Sequence, residues 1–350
     1  MDQATDHLRL LIFGAGAIGS YIGGSLALQG RQVVFLEKPE IIGQLARHGL
    51  RLIIDNTEKS ITHPLLAASL PEALALGPFE AAVFALKSFD TLAALQGMRP
   101  YASQLPPVVC LQNGVENEAA IAEVLGNQKV IPGSVTSAIG RRSAGDIVLE
   151  RLRGVAIAAI HPLSGSLVEA FNQAGLNARL YPSAPDMKWS KMLTNLLANA
   201  SSAILDMTPA EIFAHAGAYK LEIAQLREAL AVMDAQHIHA VDLPGTPVRL
   251  LTWIIRNMPV SISRPLLAQA IGSGRGGKMP SFHIDLHSGR GQSEVDYLNG
   301  AVVRFGERIG VPTPVNRLLN ETLLRLTRGE VPLEQFSRQP EKLLALWMPA

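Results

Sequence analysis

The stretch Leu8–Leu28, LRLLIFGAGAIGSYIGGSLAL, decides the fold of this chain. Leu8–Phe13 is an apolar run of strand length, and Ala17–Leu28 has the small and apolar composition of a helix that packs on a strand. The G-x-G-x-x-G segment between them is typical of a turn that binds a dinucleotide, because its glycines permit a tight turn, close approach of a pyrophosphate and close helix packing. The free N–H groups that begin the helix would face the phosphates. The predicted cofactor-binding residues are Gly14, Ala15, Gly16, Ala17, Ile18 and Gly19.

Composition excludes several classes of protein. The chain has 350 residues, 48% of them hydrophobic and 17% charged, which predicts a globular protein with two domains. With 31 basic and 30 acidic residues, no general nucleic-acid or membrane-surface binding is expected. The lone Cys110 lies in the apolar segment PPVVCLQ, so we expect a buried, inert thiol. The absence of a second cysteine and of an apparent signal peptide or membrane span favours the cytoplasm.

The pattern of strands and helices changes near Pro182. Before it, apolar strands alternate with helices, which predicts a parallel, doubly wound sheet over residues 1–181. Later strands of this part are expected to be partly antiparallel, since short loops join them. From residue 182 to 350 only helices are predicted, with GSGRGG at Gly272–Gly277 as a flexible link. The fold class is therefore an α/β N-terminal domain followed by an all-α C-terminal domain.

Polar residues follow the strands of the first domain where a ligand would bind. In an open α/β sheet, ligands lie beyond the carboxyl ends of the strands. Lys38 follows the second strand, Lys87 ends EAAVFALK, and Asn113 follows PPVVCLQ. For one such residue alone, the surface end of a buried strand is the preferred interpretation. Together with the glycine loop they favour contact with cofactor or substrate.

A polar row lies on the predicted helix after the boundary, Ala184–Asp206. Lys191, Asn195 and Asn199 recur every four residues beside an apolar stripe, so they share one face of the helix. A lysine and two short amides suit hydrogen bonding to a small polar ligand, although a solvent face or a contact between helices is the alternative. Farther along, Ser281 precedes Asp285 by four residues and Glu294 opens another helix. His283 and His287 have i, i+4 spacing, but no metal is predicted, because the surrounding sequence is not HExxH.

These motifs, in their order and spacing, resemble the ketopantoate reductase (2-dehydropantoate 2-reductase) family over nearly the whole chain. They are GAGAIG, Ala85-Leu86-Lys87, Asn113-Gly114, Lys191-x3-Asn195-x3-Asn199, Ser281-x3-Asp285 and the segment Glu294–Gly300. The resemblance implies a Rossmann domain, a C-terminal domain like that of 6-phosphogluconate dehydrogenase, and an active site in the cleft between them. It implies an NADP-dependent oxidoreductase acting on CH–OH, which reduces 2-dehydropantoate to (R)-pantoate with NADPH on the route to pantothenate and coenzyme A.

The resemblance also implies roles for individual residues. Lys191 would donate a proton to the substrate carbonyl oxygen. Glu294 would orient the lysine and contact the cofactor ribose. These two are therefore the expected catalytic residues. Lys87 would lie along the cofactor. The expected substrate-binding residues are Asn113, Lys191, Asn195, Asn199 and Ser281, with Asn113 also near the cofactor. The expected partner is a small 2-oxo acid, and a homodimer is compatible with the sequence.

Two features leave alternatives open. Lys38 suits the 2′-phosphate of NADPH, but Glu37 before it suits the 2′-hydroxyl of NADH. The segment Pro244–Met279 is longer and more apolar than in compact members of the family, which leaves the substrate open. The alternatives are a reductase of another branched 2-oxo acid and a dinucleotide-binding sensor without catalysis.

Overall fold

The computed structural model describes residues 8–275 and 278–347, which divide into two compact units. The first unit runs to Gln112 and includes Glu116–Lys188 and Leu243–Thr246. The second comprises Asn113–Val115, Trp189–Asp242 and the chain from Pro247 onward. The domain boundary between residues 181 and 182 stays a prediction.

The first unit contains an eight-stranded sheet that confirms the predicted α/β class. Its strands are β1 (Leu10–Phe13), β2 (Val33–Leu36), β5 (Leu65–Ala67), β6 (Ala81–Phe84), β7 (Val108–Cys110), β8 (Val130–Val135), β11 (Val155–Ala158) and β12 (Ala178–Tyr181). The strand order is β12-β11-β8-β7-β6-β1-β2-β5, parallel from β8 to β5. β11 runs antiparallel to β8, so the expected partly antiparallel portion is present.

Helices cover both faces of this sheet, which explains its continuous apolar strands. The helices are α1 (Ala17–Leu28), α2 (Pro39–His48), α3 (Leu70–Ala75), α4 (Thr91–Met98), α5 (Asn117–Leu125) and α6 (Ser164–Gln173). Alternate residues of β1 enter two different cores: Leu10 and Ile12 pack with α1 and α6, and Leu11 and Phe13 pack with α4 and α5. Burial on both faces requires strands without polar alternation, as in the fully buried AAVF of β6.

A second, four-stranded sheet was not predicted. It is formed by β3 (Leu50–Ile54), β4 (Thr57–Ile61), β9 (Ala138–Ser143) and β10 (Asp146–Arg151), in the order β4-β3-β10-β9. The segment TEKSI of β4 is almost fully exposed and has no apolar alternation, so its sequence gave no strand signal. The apolar segment 130–139 is divided between β8 and β9, one in each sheet.

The second unit is helical, as predicted. Its helices are α7 (Ala184–Leu196, whose first residues belong to the first unit), α8 (Ala200–Leu205), α9 (Pro209–Ala214), α10 (Ala216–Ala235), α11 (Val248–Asn257), α12 (Val260–Arg275), α13 (Ser281–His287), α14 (Val295–Ile309), α15 (Pro314–Thr327) and α16 (Pro340–Trp347). A capping box begins α9, where Thr208 and Glu211 bond to each other's backbone N–H. No helix within residues 8–275 and 278–347 is long and apolar enough to cross a membrane.

Two predictions for the helical part were wrong. The helix predicted from Ala184 to Asp206 is interrupted between α7 and α8, where Ala198 has a φ of 50°. The predicted glycine-rich link is helical in α12 as far as Arg275, while its remaining residues 276–277 lie outside the described chain. At the first of these places, contacts within the helical unit override the local signal of the sequence.

Candidate active site

The glycine loop between β1 and α1 has the geometry that dinucleotide binding requires. Gly14 has a φ of 93°, a left-handed conformation that favours glycine. A Cβ on Gly19 would lie 1.8 Å from the carbonyl oxygen of Gly14, so this position fixes how closely the helix approaches the loop. Apart from its neighbours in the chain, a Cβ on Gly16 would have no protein atom within 4 Å. The space beside Gly16, at the N-cap of α1, is therefore open to a phosphate and not used for packing.

This loop lies where the order of the strands reverses. The chain leaves β1 through α1 to β2 on one side, and after β5 it crosses back to β6 on the other side of β1. Such a switch point is the standard ligand-binding position in open α/β sheets. The residues present thus fit a dinucleotide, and binding of its pyrophosphate by the backbone of Gly14–Gly19 stays a prediction.

Glu37 and Lys38, at the end of β2, differ in how they meet the glycine loop. The Oε2 atom of Glu37 accepts a hydrogen bond from the Ala15 N–H at 2.9 Å, and Oε1 accepts one from its neighbour Lys38 N–H at 2.9 Å. The side chain of Lys38 is exposed. The carboxylate is therefore directly bound to the loop, whereas the ammonium extends into solvent. Lys87, after β6, is partly buried, and Gln112 Nε2 donates to the carbonyl oxygens of Leu86 and Lys87.

The predicted substrate residues lie together in the second unit as a chain of hydrogen bonds. Lys191 Nζ donates to Asn195 Oδ1 at 2.8 Å, and Asn195 Nδ2 donates to Asn113 Oδ1 at 3.0 Å. Asn199 Nδ2 donates to the Asn195 carbonyl oxygen at 3.0 Å and to Ser281 Oγ at 3.2 Å. The five residues thus form one connected cluster. Lys191, Asn113, Asn195 and Ser281 are partly buried, so the cluster is neither a solvent face nor a closed core.

The break between α7 and α8 positions Asn199 in this cluster. Asn199 is the N-cap residue of α8, and its Oδ1 accepts the Phe282 N–H at the start of α13 at 3.0 Å. A continuous helix would have kept Asn199 on the face of Lys191 and Asn195. The break instead lets its amide bond to both Asn195 and Ser281, which joins α7 to α13.

The residues that hold this break were not found by sequence analysis. The fully buried carboxylate of Glu222, on α10, accepts the Ala198 N–H at 2.7 Å and the Ser201 hydroxyl at 2.5 Å. Gln225, also fully buried, donates to Glu222 Oε2 at 2.7 Å and to the Leu196 carbonyl oxygen at 3.3 Å. These bonds satisfy backbone groups that the interrupted helix exposes. The signal in the sequence that could have indicated them is the presence of two polar residues, Glu222 and Gln225, on the buried face of α10.

Glu294 is the N-cap residue of α14 and is only 2% exposed. Its side chain does not cap that helix; the Ser293 hydroxyl accepts the Val295 N–H instead, at 3.2 Å. A carboxylate buried to this degree must be held by partners, since an unpaired buried charge is very costly. Its expected action on Lys191 stays a prediction.

A buried ion pair in the first unit also binds backbone carbonyls, one just after β7 and one within β8. Lys188 Nζ lies 2.7 Å from Glu118 Oε1 and donates to the carbonyl oxygens of Gln112 at 2.9 Å and Gly133 at 3.2 Å. Burial alone would lower the pKa of Lys188, but the Glu118 carboxylate raises it above its ordinary value. Burial raises the pKa of the Cys110 thiol, which agrees with an inert cysteine. Sequence analysis singled out Lys191 and overlooked Lys188 three residues earlier.

Known proteins resemble this chain over both parts. Residues 10–162 match the family model described as ketopantoate reductase PanE/ApbA, and residues 185–326 match the model for the C terminal of that family. A 2-dehydropantoate 2-reductase of Mesorhizobium japonicum is 28% identical over 342 residues, covering 88% of this chain and 94% of that protein.

Solved structures extend the likeness to the fold. A PanE/ApbA family ketopantoate reductase from Ralstonia eutropha JMP134 has a TM-score of 0.76 at 26% identity, covering 92% of this chain and 99% of that chain. D-Mandelate dehydrogenase, solved with NADH and anilino(oxo)acetate, has a TM-score of 0.74 at 21% identity, covering 92% and 99%; at this identity the likeness shows the fold alone. Because the two family models together match well over half of its length, the chain belongs to the ketopantoate reductase family of oxidoreductases.

Proposed function

We propose that this protein reduces 2-dehydropantoate to (R)-pantoate with NADPH, as a step toward pantothenate and coenzyme A. The observation that carries the proposal is the connected cluster of Asn113, Lys191, Asn195, Asn199 and Ser281. It combines one proton donor with amide and hydroxyl groups, which suit a 2-oxo acid that carries a carboxylate, a ketone and a hydroxyl.

The bound nicotinamide would supply the hydride that reaches the ketone carbon. Lys191 is the general acid: its ammonium gives a proton to the carbonyl oxygen as negative charge develops there. The product is the alcohol, and the neutral lysine regains its proton from solvent. Asn195 accepts from the ammonium at 2.8 Å and so fixes where that donor points.

The other members of the cluster bind and orient the substrate. Asn113, Asn199 and Ser281 carry N–H and O–H groups that can donate to a carboxylate or a hydroxyl. Glu294, at the start of α14, keeps Lys191 protonated through its negative charge and contacts the cofactor ribose. The backbone of Gly14–Gly19 binds the pyrophosphate, and Lys38 and Lys87 bind the phosphates of NADPH. The substrate is a small molecule, and we propose that the enzyme acts in the cytoplasm.

The test is an absorbance assay of purified protein with NADPH or NADH against a panel of 2-oxo acids. The proposal expects the highest kcat/KM for 2-dehydropantoate, with release of the (R) alcohol. A higher kcat/KM for another branched or aromatic 2-oxo acid would assign the protein to a different reductase within the family. Tight binding of cofactor without turnover of any acid would indicate a sensor.

A further inference from the structure

Two histidines that the proposed reaction does not use lie beside a carboxylate in the second unit. His283 and His287 are one turn apart on α13, with their ring centroids 4.2 Å apart and tilted by 41°. Asp206, the C-cap residue of α8, has its Oδ1 atom 2.9 Å from His283 Nε2. One ligand atom from each of the three residues lies within 4.8 Å of the other two.

We infer that Asp206, His283 and His287 form a binding site for a transition-metal dication of the zinc type. Two imidazoles and one carboxylate are a common set of three protein ligands for Zn²⁺, with water as the fourth ligand. With bonds of about 2.0–2.1 Å, ligand atoms of a tetrahedral zinc site are about 3.4 Å apart. The ligand atoms of the three residues lie within 4.8 Å of one another. Side-chain rotations that displace each atom by about 1 Å or less bring them to the spacing of a zinc site.

The carboxylate of Asp206 is already oriented for such a site. Asp206 has a left-handed conformation, with a φ of 49°, at the point where α8 ends. This conformation turns its side chain toward α13, and the Ser337 hydroxyl donates to its second oxygen, Oδ2, at 3.4 Å. Such a hydrogen bond orients a metal-binding carboxylate.

Exposure and ligand type decide which ions fit. Asp206 and His287 are exposed and His283 is partly buried, so an ion can reach the site from solvent. Imidazole favours Zn²⁺, Co²⁺, Ni²⁺ and Cu²⁺, whereas Mg²⁺ and Ca²⁺ prefer sites made only of oxygen ligands. The alternative is a plain His283–Asp206 hydrogen bond, to which His287 contributes nothing.

A metal here would stabilise the helix that carries Ser281. The two residues that flank α8 both contact α13: Asn199 bonds to Ser281 and the Phe282 N–H, and Asp206 bonds to His283. A dication shared by Asp206, His283 and His287 would strengthen the second of these attachments. Binding should therefore raise the melting temperature of the full-length protein by mass action.

The test is calorimetric titration of full-length, tag-free protein with ZnCl₂, together with thermal unfolding at fixed Zn²⁺. We expect one saturable site per chain, a higher Tm with Zn²⁺, and no comparable effect of Mg²⁺. His287→Gln leaves the His283–Asp206 bond intact and should weaken Zn²⁺ binding at least about tenfold. Asp206→Asn keeps a residue type that tolerates the left-handed conformation and should weaken it similarly.

His63→Gln, which removes an exposed histidine of the first unit, is the matched control and should leave Zn²⁺ binding unchanged. Co²⁺ should give the visible absorption of a tetrahedral site in the wild type and the control, and lose it in His287→Gln. The inference is overturned if the wild type binds no Zn²⁺ above the level of His287→Gln, or if both variants keep wild-type affinity. Because the measurement needs no turnover, it is independent of the proposed reductase activity.

Discussion

The ammonium of Lys191 lies 2.8 Å from Oδ1 of Asn195, one turn farther along α7. The same amide donates through Nδ2 to Asn113 Oδ1 at 3.0 Å, so both of its ends are used. Rotating the amide by half a turn would place two donors against each other at Lys191 and two acceptors against each other at Asn113. The orientation of the Asn195 amide is therefore fixed, and with it the direction in which it holds the lysine.

Replacing this lysine tests whether it is the general acid. Lys191→Met retains the length of the side chain without the proton, and we expect the rate of ketone reduction to fall about 10²–10⁴-fold. Cofactor affinity should stay within a few-fold, because the glycine loop is unchanged. Stopped-flow reduction and cofactor fluorescence titration measure the two effects. Lys220→Met, at an exposed lysine of α10, is the control. A wild-type kcat in Lys191→Met would mean that another group donates the proton to the ketone oxygen.

Ser281 tests the part of the cluster that α13 contributes. Its hydroxyl accepts from Asn199 at 3.2 Å, so its own proton remains available to point at a substrate. Loss of a hydrogen bond to a charged carboxylate costs about 1.5–3 kcal/mol, so Ser281→Ala should raise KM about 10–100-fold with little change in Tm. Ser288→Ala removes an exposed hydroxyl just after the same helix and should change neither. Equal KM values in the two variants would show that Ser281 does not bind the substrate.

The glycine loop offers a matched pair of substitutions that separates binding from folding. A Cβ at Gly16 meets no protein atom within 4 Å, so Gly16→Val should keep the wild-type Tm and lose charge-assisted phosphate contacts worth about 3 kcal/mol, or roughly 100-fold in cofactor affinity. A Cβ at Gly19 would lie 1.8 Å from Gly14 O. Gly19→Ala should therefore destabilise the fold by about 1–3 kcal/mol. Fluorescence titration and thermal unfolding measure both variants, and normal cofactor affinity in Gly16→Val would contradict the assignment of the loop.

The parts predicted correctly from the sequence share a local signal. The stretch Leu8–Leu28 contains a strand, a turn and a helix whose requirements agree with one another, and the structure has all three. For the cluster, helical spacing indicated that Lys191, Asn195 and Asn199 share one face, whereas the family resemblance supplied the set that includes Asn113 and Ser281; its role in substrate binding stays a prediction. Where the local pattern and the packing of the folded chain agree, the sequence is sufficient to predict the element.

The break between α7 and α8 was missed because it depends on a contact distant in sequence. It requires Glu222 on another helix to bind the Ala198 N–H, and no residue near position 198 indicates the break. Buried polar partners of this kind carry no periodic signal, so they become visible only in three dimensions.

The strand β4 was missed for a different, local reason. It is an exposed polar strand without apolar alternation, and its pairing with β3 follows from the hairpin geometry at Asp55 and Asn56, both with positive φ.

Glu37 tests which cofactor is preferred. Its carboxylate is bound to the Ala15 N–H, and its charge there opposes a 2′-phosphate. Glu37→Gln keeps an acceptor for that N–H but removes the charge, so kcat/KM for NADPH relative to NADH should rise about tenfold. Lys38→Ala should lower the same ratio. If Glu37→Gln leaves the ratio unchanged, the carboxylate does not face the ribose, and the choice of cofactor lies elsewhere.

The buried pair of Lys188 and Glu118 predicts a dependence of stability on pH. The two side chains are 5% and 16% exposed and their charged atoms are 2.7 Å apart. Removing one partner leaves a buried charge, so Lys188→Met should lower the free energy of unfolding by about 3–5 kcal/mol. Arg317 and Glu307 form a control pair, since they are 46% and 58% exposed and Arg317→Met should cost about 1 kcal/mol or less.

The sign of the pH effect follows from the direction of the pKa shift. The pKa of Lys188 is raised above its ordinary 10.5 in the folded protein, so the native state holds this proton more tightly than the unfolded chain does. Its stabilising contribution is complete below about pH 10.5 and is lost as the pH rises through the folded pKa. Urea unfolding of the wild type, Lys188→Met, Glu118→Gln and the double variant gives the coupling energy of the pair. That energy should be constant from pH 7 to 9 and decrease only above about pH 10.5. A coupling energy that instead fell between pH 7 and 9 would mean that burial outweighs Glu118 and that the lysine pKa is lowered.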